Sequence, residues 1–167
     1  MAFSEKDEFS EVHEKIGNRE YDMALNLLCH NKTGKIRKPF DRDPNHAWYL
    51  VGDIFFKMGD YERAIEAFLE AFRCRDDDVE ALWAIANCYS ELHKPKNAEE
   101  YLRIAIKLDP SKQQLIYNLG NALFDQGQYE EALSWYEKVI CVDDELYTLA
   151  KNNISACAVN LKGKKNS

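Results

Sequence analysis

The chain has 167 residues, 46% of them apolar and 31% charged, so it can bury a sizeable core and is too apolar for general disorder. A formal net charge of -7 speaks against phosphate-backbone binding as the main role, because nucleic-acid modules carry a basic face. Five scattered cysteines without a CxxC pair suggest neither a disulfide framework nor a zinc site, and no run of eighteen apolar residues suggests a membrane span.

In chain order, residues 4–31 read as a helical hairpin. Phe9, Val12 and Ile16 share one helix face, Gly17-Asn18 marks a break, and Tyr21, Ala24, Leu25 and Leu28 share the next. Residues 32–44 follow as a basic loop. With Lys32, Lys35, Arg37, Lys38 and Arg42 it reads first as a solvated connection and second as a contact for an acidic partner. Thr33-Gly34-Lys35 is not a phosphate loop, since the upstream glycine and preceding strand are missing.

Three units of equal length come next: 45–78, 79–112 and 113–146. The stretch 113–140 shows the pattern best. Ile116, Leu119, Gly120 and Leu123 form one stripe, Gly127-Gln128 a turn, and Ala132, Tyr136 and Val139 a second stripe. One unit earlier, in the same register, stand Leu82, Ile85, Ala86 and Tyr89, then Ala98, Leu102 and Ala105. One unit earlier again stand Trp48, Val51, Gly52 and Phe55, then Ala64, Phe68 and Ala71. Turns are expected at Gly59-Asp60, His93-Lys94-Pro95 and Gly127-Gln128, with Pro95 opening its helix. Asp76-Asp77-Asp78, Asp109-Pro110-Ser111 and Asp143-Asp144-Glu145 should end one helix and cap the next.

Residues 147–162 continue apolar at helical spacing as a single capping helix with Lys151, Asn152 and Asn160 toward water; its register is open by one residue. Residues 163–167 read as a frayed tail. The hairpin at the other end is a degenerate repeat, because Tyr21 and Ala24 mirror Tyr61 and Ala64 at a wider spacing than the other units keep.

The small residues Gly52, Ala86 and Gly120 let paired helices approach closely, and no hairpin buries its apolar face alone. The pattern W-x2-L-G-x2-Y, A-x3-F, P at period 34 resembles the tetratricopeptide repeat (TPR) family over three full repeats. The middle repeat departs from it at Ala86 and Pro95. The resemblance implies an all-α fold, a right-handed superhelical array of antiparallel helix pairs (a TPR α-solenoid), here as one domain over 1–167. It also implies a concave face lined by the first helix of each repeat, which binds a peptide or partner helix.

Carried onto this chain, the family's register gives the partner-binding positions Tyr49, Asp53, Phe56, Trp83, Asn87, Tyr117, Asn118, Asn121 and Phe124. Tyr49, Trp83 and Tyr117 form an aromatic ladder; Asp53, Asn87 and Asn121 form a polar one. Aromatic rings give contact area at low entropy cost, and Asn can pair with both N–H and C=O of an extended backbone. Related co-chaperones hold acidic chaperone tails with a carboxylate clamp. Its positions here are Tyr49, Asp53, Ala84, Gln114 and Asn118, so the clamp is absent and a basic or apolar segment is expected.

His13, His30, His46 and His93 lie on different segments, with no HExxH, nucleophile elbow or glycine-rich phosphate loop. The expectation is therefore no catalysis, no cofactor and no metal. The chain is expected to be a cytoplasmic protein–protein adaptor or scaffold. A secretion or assembly chaperone is the alternative, and a regulatory domain of an enzyme is weaker still. No nucleic acid or membrane is expected as partner, and self-association stays open. Cys29, Cys74, Cys88, Cys141 and Cys157 read as buried small apolar residues in a reducing compartment.

Overall fold

The computed structural model describes residues 8–30, 34–140 and 144–165. Lys32, Thr33, Cys141, Asp143 and residues 4–7 and 166–167 lie outside them. Among the described residues the chain is all-α, with α1 Ser10–Gly17, α2 Tyr21–Leu28, α3 Pro44–Lys57, α4 Tyr61–Cys74, α5 Val79–Glu91, α6 Pro95–Leu108, α7 Gln113–Asp125, α8 Tyr129–Tyr136 and α9 Asp144–Lys165, plus a 3-10 turn at Phe40–Arg42. The second helices open at Tyr61, Pro95 and Tyr129, one full repeat apart each time. The chain divides after Ala81, within α5, into two compact units.

In the first unit α3 and α4 pack as an antiparallel pair, with α1 and α2 against α3. Phe9, Val12, Ala24, Leu28 and Phe40 join Ala47, Leu50 and Ile54 in one core. Close approach of α3 and α4 depends on Gly52, where a Cβ would stand 2.6 Å from the Phe68 ring. Asp43 caps α3 by accepting from the His46 N–H at 3.1 Å, and Asp60 caps α4 by accepting from Arg63 N–H at 3.1 Å. Asp78 lies between α4 and α5 and is buried. Its carboxylate accepts from Ala81 N–H at 3.0 Å and from Asn45 Nδ2 at 2.7 Å, and Arg75 Nη2 stands 3.1 Å away.

In the second unit α6 packs on α7, α7 on α8, and α9 on α8. Gly120 repeats the role of Gly52: a Cβ would meet the Tyr136 ring at 2.5 Å. The middle repeat carries Ala86 at this position and Leu102 opposite, both buried. A branched side chain occupies less space than a ring, so the departure at Ala86 is accompanied by a smaller residue at the position that Phe68 and Tyr136 hold in the other repeats. α8 closes at Tyr136, a turn short of the expected 140. Lys138 N–H and Val139 N–H bond to the carbonyls three residues back, and Ile140 N–H goes to Gln113 Oε1 at 2.9 Å. α9 begins at Asp144 and ends at Lys165, so Gly163 opens no frayed tail; the chain is helical through 165.

The turns inside the hairpins share one geometry. Arg19, Gly59, His93 and Gly127 have φ of 61°, 80°, 54° and 72°, and the N–H that follows each bonds to the carbonyl five residues back. Arg19 and Gly59 are separated by the same stretch of chain as Tyr21 and Tyr61, so the first hairpin turns as a true, displaced repeat. A side chain in this left-handed conformation costs about 1–2 kcal/mol relative to glycine. His93→Gly should therefore stabilise the fold by about 1 kcal/mol, read as a higher urea midpoint at unchanged m-value. An unchanged or lower midpoint would mean that His93 contributes a contact larger than its backbone strain.

Candidate protein-binding site

The aromatic residues of the predicted face all have local partners. Tyr49 sits half-buried against Phe68 with ring centroids 5.2 Å apart, and Tyr117 against Tyr136 at 5.8 Å. Phe56 meets Tyr61 edge-on at 5.4 Å, and Phe124 meets Tyr129 at 5.1 Å. Both pairs join the end of a first helix to the start of the second, so these rings pin the hairpin whatever else they touch. Asp53 Oδ1 accepts from Lys57 Nζ at 2.6 Å within α3. That exposed pair leaves Asp53 part-neutralised.

In the second unit the polar residues converge. Asn87, Asn118, Asn121 and Phe124 line a cavity of about 340 Å³ together with Ser90, Asp125, Tyr136 and Asn153. Asn118 Nδ2 donates to Asn87 Oδ1 at 3.2 Å. Asn121 Oδ1 accepts from the Tyr136 hydroxyl at 2.7 Å and from Asn153 Nδ2 at 3.0 Å, and Asn153 also donates to the Tyr117 hydroxyl at 3.2 Å. Burial pushes the Tyr136 hydroxyl pKa up, so it stays a donor. The two ends of the network differ. Asn121 is held by bonds from two helices, whereas Asn87 and Asn118 bond to each other, and both line the cavity.

Asp125 closes one side of this cavity and also lines a neighbouring one of about 540 Å³ with Ser90, Glu91, His93 and Pro95. Partial burial raises the Asp125 carboxyl pKa, against a lowering by His93. Trp83 is half-buried, with Lys112 Nζ 4.6 Å from its ring centroid, and its indole N–H has no acceptor among the described residues. Sequence reasoning missed Asn153 and Tyr136 as members of this site. The register of α9 was the available signal: Ala150 and Cys157 are buried, and the face they define also holds Asn153.

The basic insertion is folded back on the chain. Cys29 and Ile36 form an antiparallel bridge, Arg37 Nε donates to the Cys29 carbonyl at 2.9 Å, and Arg42 Nη1 pairs with Glu8 at 2.5 Å. Of the cysteines, Cys88 and Cys157 are buried, and burial pushes the Cys88 thiol up to about 12. Cys29 is half-buried with its thiol pushed up to about 11. Cys74 is exposed, because it falls on the outer side of the last turn of α4, and so departs from the expected burial. Among the described residues no three His, Cys, Asp or Glu side chains come together as metal ligands, and no helix is long and apolar enough to cross a membrane.

Helix pairs recurring at one fixed interval, with a glycine or alanine at each close approach and a common left-handed turn, define an all-α helical-repeat protein. The family described as Tetratricopeptide repeat matches residues 84–145, and that described as TPR repeat matches residues 52–92. The chain belongs to the tetratricopeptide repeat family. It is 26% identical to BBSome complex member BBS4 of Bos taurus over 86% of this chain and 29% of the relative. It is 30% identical to Small glutamine-rich tetratricopeptide repeat-containing protein 2 of Mycosarcoma maydis over 68% of this chain and 33% of the relative. The chain thus spans about a third of the length of the curated relatives it matches. Among solved structures, the first TPR domain of human RPAP3 superposes with a TM-score of 0.65 at 26% identity, covering 74% of this chain and 96% of that one. The second TPR domain of human RPAP3, solved with the HSP70 peptide SGPTIEEVD, gives 0.61 at 26%, covering 68% and 98%.

Proposed function

We propose that this chain is a non-catalytic adaptor or scaffold module that holds a peptide or helical segment of a partner protein. The observation that carries the reading is the amide-lined cavity of the second unit, where Asn87 and Asn118 present donors and acceptors beside Phe124. An extended main chain needs such paired groups, and an aromatic edge gives a side chain somewhere to rest. Similarity to domains solved with bound peptides supports the class of ligand. Trp83, Tyr117 and Asn121 belong to the same proposed surface, with Tyr49, Asp53 and Phe56 as its counterparts in the first unit.

The proposed segment is basic or apolar. Asp125 and Glu91 stand beside the cavity, and a partly buried carboxylate is relieved by a cation. The positions that would form a clamp for an acidic tail, Tyr49, Asp53, Ala84, Gln114 and Asn118, hold no lysine or arginine. Free thiols at Cys29, Cys74, Cys88 and Cys157 suit a reducing compartment such as the cytoplasm.

Binding of the purified chain to an array of peptides spanning basic, apolar and EEVD-type acidic sequences tests this reading. Basic or apolar peptides should bind and the acidic tails should not. Asn87→Ala and Asn118→Ala should each weaken the selected peptides by about 5- to 30-fold, equivalent to about 1–2 kcal/mol, with little change in melting temperature. Selection of acidic tails, or indifference to both alanines, would overturn the assignment.

A further inference from the structure

We propose that the groove between α3 and α4 in the first unit is a docking site separate from the amide-lined cavity, and that it takes a basic amphipathic helix of a partner protein, which sets a large apolar side chain into it. A cavity of about 360 Å³ opens there over Trp48, Val51 and Phe55 of α3 and Ala67 of α4. A cavity of about 150 Å³ is already enough for a benzene ring. Trp48 and Phe55 are half-buried, whereas Ile116 and Leu123, which hold the same repeat positions in α7, are buried.

The first hairpin leaves this groove open. In the second unit α7 is covered by α6, a helix of 14 residues. Its counterpart against α3 is α2, which has 8. Tyr21 and Pro95 open the two helices at the same repeat position, so Cys29 stands where α6 carries Arg103. Arg103 is the residue by which α6 reaches α8: its Nη2 donates to Glu131 at 2.6 Å, and its guanidinium lies 5.9 Å from the centroid of the Trp135 ring. At Cys29 the backbone is extended, with φ -124° and ψ 152°, and the chain has left the helix. The position of Trp135 is held in the first repeat by Ala67, a buried methyl. The groove therefore lacks both the second half of a covering helix and the ring that the third repeat places there.

Charge selects the occupant. Arg63, Glu66, Glu70 and Arg73 of α4 border the cavity. Arg63 Nη2 pairs with Asp60 Oδ2 at 2.5 Å while its guanidinium lies 4.5 Å from the Phe55 ring centroid, and Arg73 pairs with Glu70. Glu66 is exposed and, among the described residues, forms no ion pair. The uncompensated charge beside the apolar floor is thus negative, and a lysine or arginine one turn from the inserted side chain meets it. A second copy of α4 does not fit. Antiparallel pairing about Phe68 sets Arg63 against Arg73 and Glu66 against Glu70, and parallel pairing sets each residue against itself, so like charges face one another in both directions.

Fluorescence anisotropy of three labelled peptides, each titrated with the full chain, tests the proposal. All have the length of α6: one carries a helical leucine stripe flanked by lysines, the second the same stripe flanked by glutamates, and the third the residues of the first in scrambled order. The lysine peptide should bind with a Kd of about 0.1 mM or tighter, and the other two at least about tenfold more weakly. Glu66→Lys should weaken the lysine peptide by about tenfold and strengthen the glutamate peptide, with circular dichroism unchanged because the position is exposed. Ala67→Trp supplies the ring found in the third repeat and should block the peptide; should that variant not fold, the charge reversal at Glu66 still decides. In the Asn87→Ala/Asn118→Ala double variant, which disables the amide-lined cavity, the lysine peptide should bind as before and still depend on Glu66. A lysine peptide that fails to bind, a scrambled peptide that binds equally, indifference to Glu66→Lys, or binding lost with the two asparagines would each overturn the proposal.

Discussion

Gly120→Ala should destabilise the fold by about 1–3 kcal/mol, although helix propensity alone predicts a gain of about 1 kcal/mol for the same change. The added methyl would stand 2.5 Å from the Tyr136 ring, and Tyr136 cannot move aside: it is buried, and its hydroxyl bonds to Asn121. The middle repeat carries alanine and leucine at the two corresponding positions, Ala86 and Leu102, both buried. Tyr136→Leu alone should cost about 2–4 kcal/mol through the cavity it leaves and the lost bond. The double variant G120A/Y136L should cost less than the sum by at least about 1 kcal/mol, the signature of two residues sharing one space. Urea unfolding of the four proteins closes the cycle. Strict additivity would show that the glycine is not there for the ring. Gly17→Ala is the control: no atom lies within 4 Å of its added Cβ, and it should be neutral or slightly stabilising.

The other large effect belongs to Asp78. Its carboxylate is 2% exposed and accepts from the first turn of α5 and from Asn45, with Arg75 alongside. Asp78→Ala removes a helix cap and one of the two acceptors of the Asn45 amide nitrogen. The expected loss is about 2–4 kcal/mol. Asp78→Asn keeps an oxygen for the Ala81 N–H and should cost less. Asn45→Ala should cost about 1–2 kcal/mol, as it also gives up a 2.9 Å bond to the Ala71 carbonyl. Combining D78A with N45A should cost less than the two singly, because the bond they share is then lost only once. Thermal melts of the set decide; full additivity would mean that the Asn45–Asp78 bond contributes nothing.

Much of the fold was readable because it follows from size and spacing. Glycine at 52 and 120, alanine at 86 and the turn residues at 59, 93 and 127 each answer to a constraint within one hairpin. A constraint between neighbours in sequence leaves its mark at a fixed interval. The hairpin ends were less readable. α8 closes at Tyr136 although the apolar stripe runs on to Val139, because a buried position can be reached by a turn as well as by a helix.

The site was only half visible for a related reason. Asn87, Asn118 and Asn121 carry the repeat's own register, so their meeting in one cavity could be expected from sequence. Asn153 depended on the register of α9, a helix outside the repeats whose apolar spacing leaves that register open by one residue, and the other choice sends it to water. Likewise the family's register assigns Phe56 and Phe124 to the partner-binding face, and only the structure shows that each also rests against the tyrosine that opens the following helix.

By itself the sequence determined the helices, the repeat interval, the close approaches and the family, all of them products of local sterics repeated along the chain. Only the tertiary structure decided which polar groups meet: Asp78 with Asn45, Asn118 with Asn87, and Asn153 with Tyr117 and Asn121. The physical reason is one of range. Apolar burial needs only the right face, whereas a hydrogen bond needs a partner within about 3 Å and so depends on how whole helices are set against one another.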